Sequence, residues 1–149
     1  MNHQRIIEHF RDKILSLQFS DVTADDIQIP NVYFERKDRK LFFEITLGES
    51  APQDYVEIAD LRRFTLDIDV IVPTGASTAR LNNIAQRLRR IYSPVLPEKS
   101  SFRLDGSVFV CRAVQVTPVT RISRFQMDYT TEGVKICVKF TFDVYSKED

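Results

Sequence analysis

The stretch from Arg62 to Tyr92, RRFTLDIDVIVPTGASTARLNNIAQRLRRIY, limits what this chain can fold into more than any other. It opens with strict alternation. Phe64, Leu66, Ile68, Val70 and Val72 fall on one side of an extended segment, and Arg63, Thr65, Asp67 and Asp69 on the other. A period of two is what a strand with one buried face requires. After Pro73-Thr74-Gly75 the period changes: Leu81, Ile84, Ala85, Leu88 and Ile91 recur at three- and four-residue spacing. That spacing lines one side of a helix. Ser77 or Thr78 can cap the helix and Pro94 stops it. A strand, a turn and a helix therefore share one core.

The remaining elements are read around that unit. A first helix is predicted from His3 to Leu17, with Ile6, Ile7, Phe10, Ile14 and Leu17 on one stripe and His3 and His9 on its surface. The acidic turn from Ser20 to Asp26 ends it. A strand is expected over Ile27–Phe34, joined through the polar run Glu35–Lys40 to a second over Leu41–Leu47, the two forming a hairpin. Gly48 to Asp54 has the chemistry of a long loop, with Gly48, Ser50, Pro52 and Asp54. Beyond Pro94 and Pro97 the pattern is all strand: Phe102–Leu104, Val108–Val116, a stretch around Arg124–Tyr129, and Val134–Tyr145. Asp105-Gly106 signals a tight hairpin turn. In the last strand Val134, Ile136, Val138, Phe140, Phe142 and Val144 point inward, and Lys135, Lys139, Thr141 and Asp143 are expected in water. The expected architecture is α+β: one domain over residues 1–149, a mainly antiparallel sheet with two helices packed on one face.

Composition narrows the functional classes. The 21 basic and 21 acidic residues cancel, so no global field draws the chain to nucleic acid or to an anionic membrane. No apolar run approaches the roughly 18–20 residues of a membrane span. Charges interrupt every apolar run near Met1, which reads as an amphipathic helix rather than a signal peptide. The two cysteines, Cys111 and Cys137, both fall in predicted strands and read as free thiols of a cytoplasmic protein.

Two sets of side chains invite a chemical role. Asp67 and Asp69, at i and i+2, project from one strand face and could hold a divalent metal, as in metal-dependent nucleotidyl or phosphoryl transferases. Those enzymes add a Gly-Ser turn upstream to hold phosphates. Here the nearest upstream glycine is Gly48, followed by Glu49. Alternation alone accounts for the pair, with Lys135 or Lys139 as cross-strand partners. His3 and His9 have no companions that would complete a metal site. No dinucleotide, phosphate-loop or serine-hydrolase motif occurs. The segment Val72–Ser77 lacks the lysine and further glycines of a phosphate loop, and reads as a turn and a cap.

The second set is basic. Arginine outnumbers lysine two to one, and Arg80, Asn83, Arg87 and Arg90 form a polar stripe on the second helix. No acid occurs from Ala76 to Pro97, whereas acids gather in Asp21–Asp26 and Asp54–Asp69. A basic helix and acidic loops on a neutral chain suit a contact between copies, including the head-to-tail contact of a ring. The aromatic residues sit in strands rather than among the bases, which argues against a nucleic-acid surface.

The order of elements is similar to that of one family. An amphipathic helix leads to Ile29-Pro30-Asn31-Val32-Tyr33-Phe34. A strand and a long loop follow, then an extended strand ending in Val70-Ile71-Val72-Pro73-Thr74-Gly75 before a helix, and a run of strands closes the pattern. Over nearly the whole chain this resembles the tail-terminator (minor tail, or tail-completion) proteins of long-tailed bacteriophages and prophages. Asp60-Leu61-Arg62-Arg63 stand where that family has a glycine, and the chain has no tryptophan. The resemblance implies a structural virion protein, not an enzyme, without cofactor or metal. It implies a hexameric ring that caps the tail tube, stops its polymerisation and meets the head-tail connector. Such a protein resides in the bacterial cytoplasm during assembly, then at the tail-head junction. The contact residues so implied are Arg80, Asn83, Arg87 and Arg90 on the helix and Glu49 and Asp54 in the loop. A cytoplasmic adaptor or chaperone-like module, holding a peptide along a sheet edge, is the alternative from another class.

Overall fold

The computed structural model describes residues 3–30, 32, 34, 40–50, 61–72, 78–122 and 133–146. Helix α1 spans His3–Ser16 and α2 spans Thr78–Leu88. Among the described residues seven strands form one sheet: β1 (Ile27–Gln28), β2 (Phe42–Ser50), β3 (Leu61–Val72), β4 (Ser101–Leu104), β5 (Ser107–Val116), β6 (Thr120–Ile122) and β7 (Gly133–Ser146). Their order is β1-β2-β3-β7-β5-β4, with β6 also pairing β7. Every pair is antiparallel except β1–β2. The fold is α+β.

The alternation in β3 behaves as its sequence demands. Phe64, Leu66, Ile68, Val70 and Val72 are buried, and they share one core cluster with Phe43 and Ile45 of β2 and Ile136, Val138, Phe140, Phe142 and Val144 of β7. Both helices contribute to that cluster, α1 through Ile6, Ile7, Phe10 and Ile14, and α2 through Leu81, Ile84, Ala85 and Leu88. Each such aliphatic or aromatic side chain stabilises the fold by roughly 1.5–3 kcal/mol when fully buried. Helix α1 stops where Gln18 takes a left-handed backbone (φ 55) and Leu17 N–H turns back to the Ile14 carbonyl at 3.1 Å. The Asp105-Gly106 turn between β4 and β5 has positive φ at both residues, 50 and 83, as a two-residue hairpin turn requires.

Strand β5 carries a bulge. Cys111 pairs with Phe142 and Ala113 with Thr141, leaving Arg112 as the extra residue. Before the bulge Phe109 and Cys111 enter the core; after it Val114 and Val116 pack against the same core. Without the extra residue those valines would face the other way. A second, smaller cluster lies on the opposite side of the strands, where Phe42, Ile71 and Ile122 meet Phe34.

Several expectations need correction. The segment from Ile27 does not make a hairpin with β2: β1 is two residues long and pairs with β2 in parallel, Ile27 opposite Phe43. Pro30, with no N–H to donate, suits the early end of pairing. Gly48, Glu49 and Ser50 belong to β2, not to a loop, and residues 51–54, including Asp54, lie outside the described residues. Thr78 is the first residue of α2 rather than its cap, and the turn at 73–77 is outside the described residues. So is the strand expected around Arg124–Tyr129, whereas Thr120–Ile122 forms a strand that the pattern did not announce. Asp143 is not in water but 4% exposed. His9 is not a surface residue: its ring stacks on Phe102 (centroids 4.3 Å apart, planes at 11°), and its Nε2 lies 2.6 Å from the Tyr92 hydroxyl.

No helix among the described residues is long and apolar enough to cross a membrane. Both thiols are free. Burial raises the Cys111 thiol to about 11, and burial with the neighbouring Asp69 raises Cys137 to about 12, so neither is a thiolate near neutral pH.

Candidate functional site

Leu81, Ile84, Ala85 and Leu88 commit one side of α2 to the core, so Arg80, Asn83 and Arg87 are left exposed on the other; α2 ends at Leu88, so Arg90, expected on the helix, stands exposed in the turn just beyond it. Two of the arginines are tied to the segment leaving α1. Arg80 donates to the Ser20 carbonyl at 3.1 Å, and Arg87 donates to the Leu17 carbonyl while its guanidinium lies 4.5 Å from the Phe19 ring centroid. These bonds satisfy carbonyls beyond the end of α1 and clamp the helices together. Asn83 and Arg90 remain outward.

The stripe borders two adjoining hollows that share Arg87. One, of about 160 Å³, is walled by Phe19, Ser20, Arg80, Asn83 and Ile84; the other, of about 320 Å³, by Lys13, Ser16, Leu17, Arg90, Ile91 and Lys99. Among the described residues no acid lines either one. Lys13 and Lys99 come from α1 and from the 3-10 turn Pro97–Lys99, so spacing along α2 could not reveal them. The only sequence signal was the placement of Lys13 in the last turn of α1, where a cation suits the helix dipole.

Several cations elsewhere meet partners. Arg5 bonds Asp105 through two nitrogens at 3.2 Å each. Glu49, at the far end of β2, has Arg62 at 3.8 Å and His3 at 3.5 Å, which places it apart from the α2 stripe in its own local contacts. Asp143 is clasped on the outer sheet face by Arg63 at 2.9 Å and by Arg112, the bulge residue, at 2.8 Å. Arg112 also donates to the Tyr145 hydroxyl at 3.0 Å. Burial alone would push the Asp143 carboxyl up, but the two guanidinium groups outweigh it and hold the carboxyl below its ordinary range. The sequence reading missed this triad because Arg63, Arg112 and Asp143 lie on three different strands.

Asp67 and Asp69 do share the outer face of β3, with Lys139 opposite Asp67 and Cys137 opposite Asp69. One carboxylate oxygen of Asp67, Oδ1, is buried without a hydrogen-bond partner. Burial raises the Asp67 carboxyl, Asp69 adds to the rise, and Lys139 and Lys135 oppose it. Among the described residues no three His, Cys, Asp or Glu side chains are placed to hold a metal ion. What the arrangement offers chemically is an exposed basic surface along α2.

No protein-family model matches the sequence, and no curated protein is significantly similar to it. Among solved structures, one carrying only a sequence identifier for a name is 15% identical, covers 100% of this chain and 99% of its own, and superposes with a TM-score of 0.63. At that identity the likeness concerns the fold alone.

Proposed function

We propose that this chain is a structural assembly protein resembling the tail terminators of long-tailed bacteriophages, a ring-forming cap on the tail tube that also meets the head-tail connector. The observation that carries the reading is the distribution of charge. On a chain of zero net charge, the arginine and lysine side chains around α2 line two hollows with no acid among their described residues, while Arg5 pairs with Asp105, and Arg63 and Arg112 share Asp143. Unneutralised charge gathered on one surface suits a protein partner. The shared core of α1, α2 and the inward strand residues further supports both helices lying on one face of the sheet. Such a layout leaves the opposite face, with Asp67, Asp69 and Lys139, for other neighbours.

The direct test is functional. Purified protein is added to polymerising tail tubes, and tube length is measured by negative-stain electron microscopy. The expected result is tubes of limited length bearing rings at one end. Tubes that lengthen as they do without the protein sink the reading.

The second reading, an adaptor holding a peptide at a sheet edge, has its own observation. The pairing of β1 with β2 ends at Glu44, and a hollow of about 330 Å³ lies there between Ile29, Pro30, Val32, Ile45 and Thr46. Val32 is 54% exposed beside it. Strand addition at such an edge would shift the amide resonances of Ile45 and Thr46 on peptide titration. An unchanged spectrum removes this reading.

A further inference from the structure

The α2 surface has a polarity that bears on its partner. Near Arg80, at the start of the helix, stands the turn leaving α1. Asp21 and Asp25 are exposed there, and among the described residues neither has an ion-pair partner. Asp26 is turned inward on its own loop, accepting from the Thr23 N–H at 2.9 Å. Beyond the other end of the helix stand Arg90 and Lys99, exposed and likewise without an ion pair among the described residues; with Lys13 and Arg87 they outnumber Glu98, the exposed acid beside Lys99. The hollows that share Arg87 join the two ends into one strip. An 11-residue helix is about 16 Å long, so the opposite charges are separated along the strip rather than cancelling.

An apolar element accompanies the basic end. Val95 is 81% exposed and Leu96 41%, on the connector that the Ser93 N–H bond to the Lys99 carbonyl folds beside Lys99. Exposed apolar side chains beside unpaired charge are what the centre and rim of a protein contact supply.

A strip acidic at one end and basic at the other is complementary to itself under a two-fold rotation, which sets each end against the opposite end of its mate. We propose that the α2 strip is a self-association surface on which two copies pair about a two-fold axis, with their α2 helices antiparallel. The Arg90–Lys99 end of each receives the Asp21–Asp25 turn of the other. Val95 and Leu96 are covered by the same contact. The inference goes beyond the assembly reading, since a two-fold pair is not the head-to-tail contact of a ring, and rests on that reading only for the premise that this surface serves protein contacts. The contact is compact and charge-rich, so it is concentration-dependent and weakens with salt.

Sedimentation equilibrium of the full chain, from low micromolar to several hundred micromolar protein in low salt, tests it. The expected result is a monomer–dimer equilibrium whose dissociation constant rises about tenfold or more in strong salt. Two charge-reversed variants follow: Arg90→Glu with Lys99→Glu, and Asp25→Lys with Asp21→Asn. The second keeps a residue at position 21 that tolerates its φ of 63. Each variant alone is expected to be monomeric at concentrations where the wild type pairs, with an unchanged circular dichroism melt showing an intact fold. Mixed one to one, the two are expected to form a dimer. A wild-type chain that stays monomeric throughout, a dimer indifferent to both reversals, or growth past two copies without a dimer plateau overturns the proposal. Leu96→Ser should also weaken pairing, and full retention by that variant together with both reversals rules the strip out. If the reversed variants still cap tail tubes, the strip is not the assembly contact and the capping reading survives. If the wild type pairs as expected but fails to cap, the capping reading falls and the dimer stands.

Discussion

Asp143 shows how a single residue can mislead a reading by periodicity. Its place in β7 alternates with Phe142 and Val144, so a polar side chain there points away from the core, and the pattern stops at that conclusion. What the pattern lacks is lateral information: Arg63 on one neighbouring strand and the bulge residue Arg112 on the other close over the carboxylate. Because both guanidinium groups keep access to water, at 36% and 49% side-chain exposure, removing the acid costs less than breaking a fully enclosed pair. Asp143→Ala is expected to lower stability by about 1–2 kcal/mol in urea denaturation at pH 7. The pH dependence has a definite sign. The native carboxyl titrates below its unfolded value, so its contribution is present above the unfolded value near ~4 and is lost as pH falls through the lower folded value. The gap between wild type and Asp143→Asn should therefore narrow in acid, and a gap constant down to pH 2 contradicts the assignment.

His9 runs the other way. Burial, then the charge of Lys13, lowers its pKa, with Asp12 opposing, while Tyr92 and Phe102 face the ring. A native imidazole held neutral binds fewer protons than the unfolded chain below about pH 6.5, so acid costs stability in that window. His9→Gln should flatten the fall of melting temperature between pH 7 and 5. Among the arginines on α2 and just beyond it, the contacts divide two roles. Arg87→Ala removes the bond to the Leu17 carbonyl and the cover over Phe19, and is expected to cost about 1 kcal/mol. Arg90→Ala should leave the melt unchanged.

At the scale of elements, long periodic segments were legible and short or interrupted ones were not. The β3 strand falls where alternation puts it, and both helices bury the expected stripes except at their ends, since α1 stops at Ser16 and α2 at Leu88, leaving Leu17 and Ile91 beyond them and half-buried. The Asp105-Gly106 turn could be read because only a few residue types tolerate positive φ in succession. An added methyl at Gly106 would meet nothing within 4 Å, so Gly106→Ala tests the backbone alone, and a loss of about 1 kcal/mol is expected in thermal denaturation. The bulge was hidden in plain view. Phe109 and Cys111 are odd-numbered and Val114 and Val116 even, which a single unbroken strand cannot bury together. Deleting Arg112 should turn those valines outward and abolish cooperative unfolding. The direction of β1 was beyond reach, because two paired residues carry no signature of parallel or antiparallel neighbours. Gly48 has the composition of a loop residue, yet it lies in β2 with Thr65 so close that an added Cβ would sit 3.0 Å from that hydroxyl oxygen.

On the scale of the whole molecule, net charge told only what the chain lacks; placement told more. A sequence pI near 6.7 means little long-range repulsion between copies at neutral pH, so short-range pairing of local charges decides whether they meet. The basic hollow could not be read from the helix alone, since Lys13 and Lys99 reach it from segments distant in sequence.

The position of β7 has a consequence for how the protein comes into being. It lies between β3 and β5, which have no pairing with each other, and it follows both in the chain. While a ribosome is still making the segment before Gly133, β3 and β5 each offer an unpaired edge, and the sheet cannot close. Folding must wait for the last of these strands to emerge, then proceed through contacts between residues far apart in sequence, which makes it slow. During that interval the nascent chain is at its most exposed to aggregation and to chaperone capture.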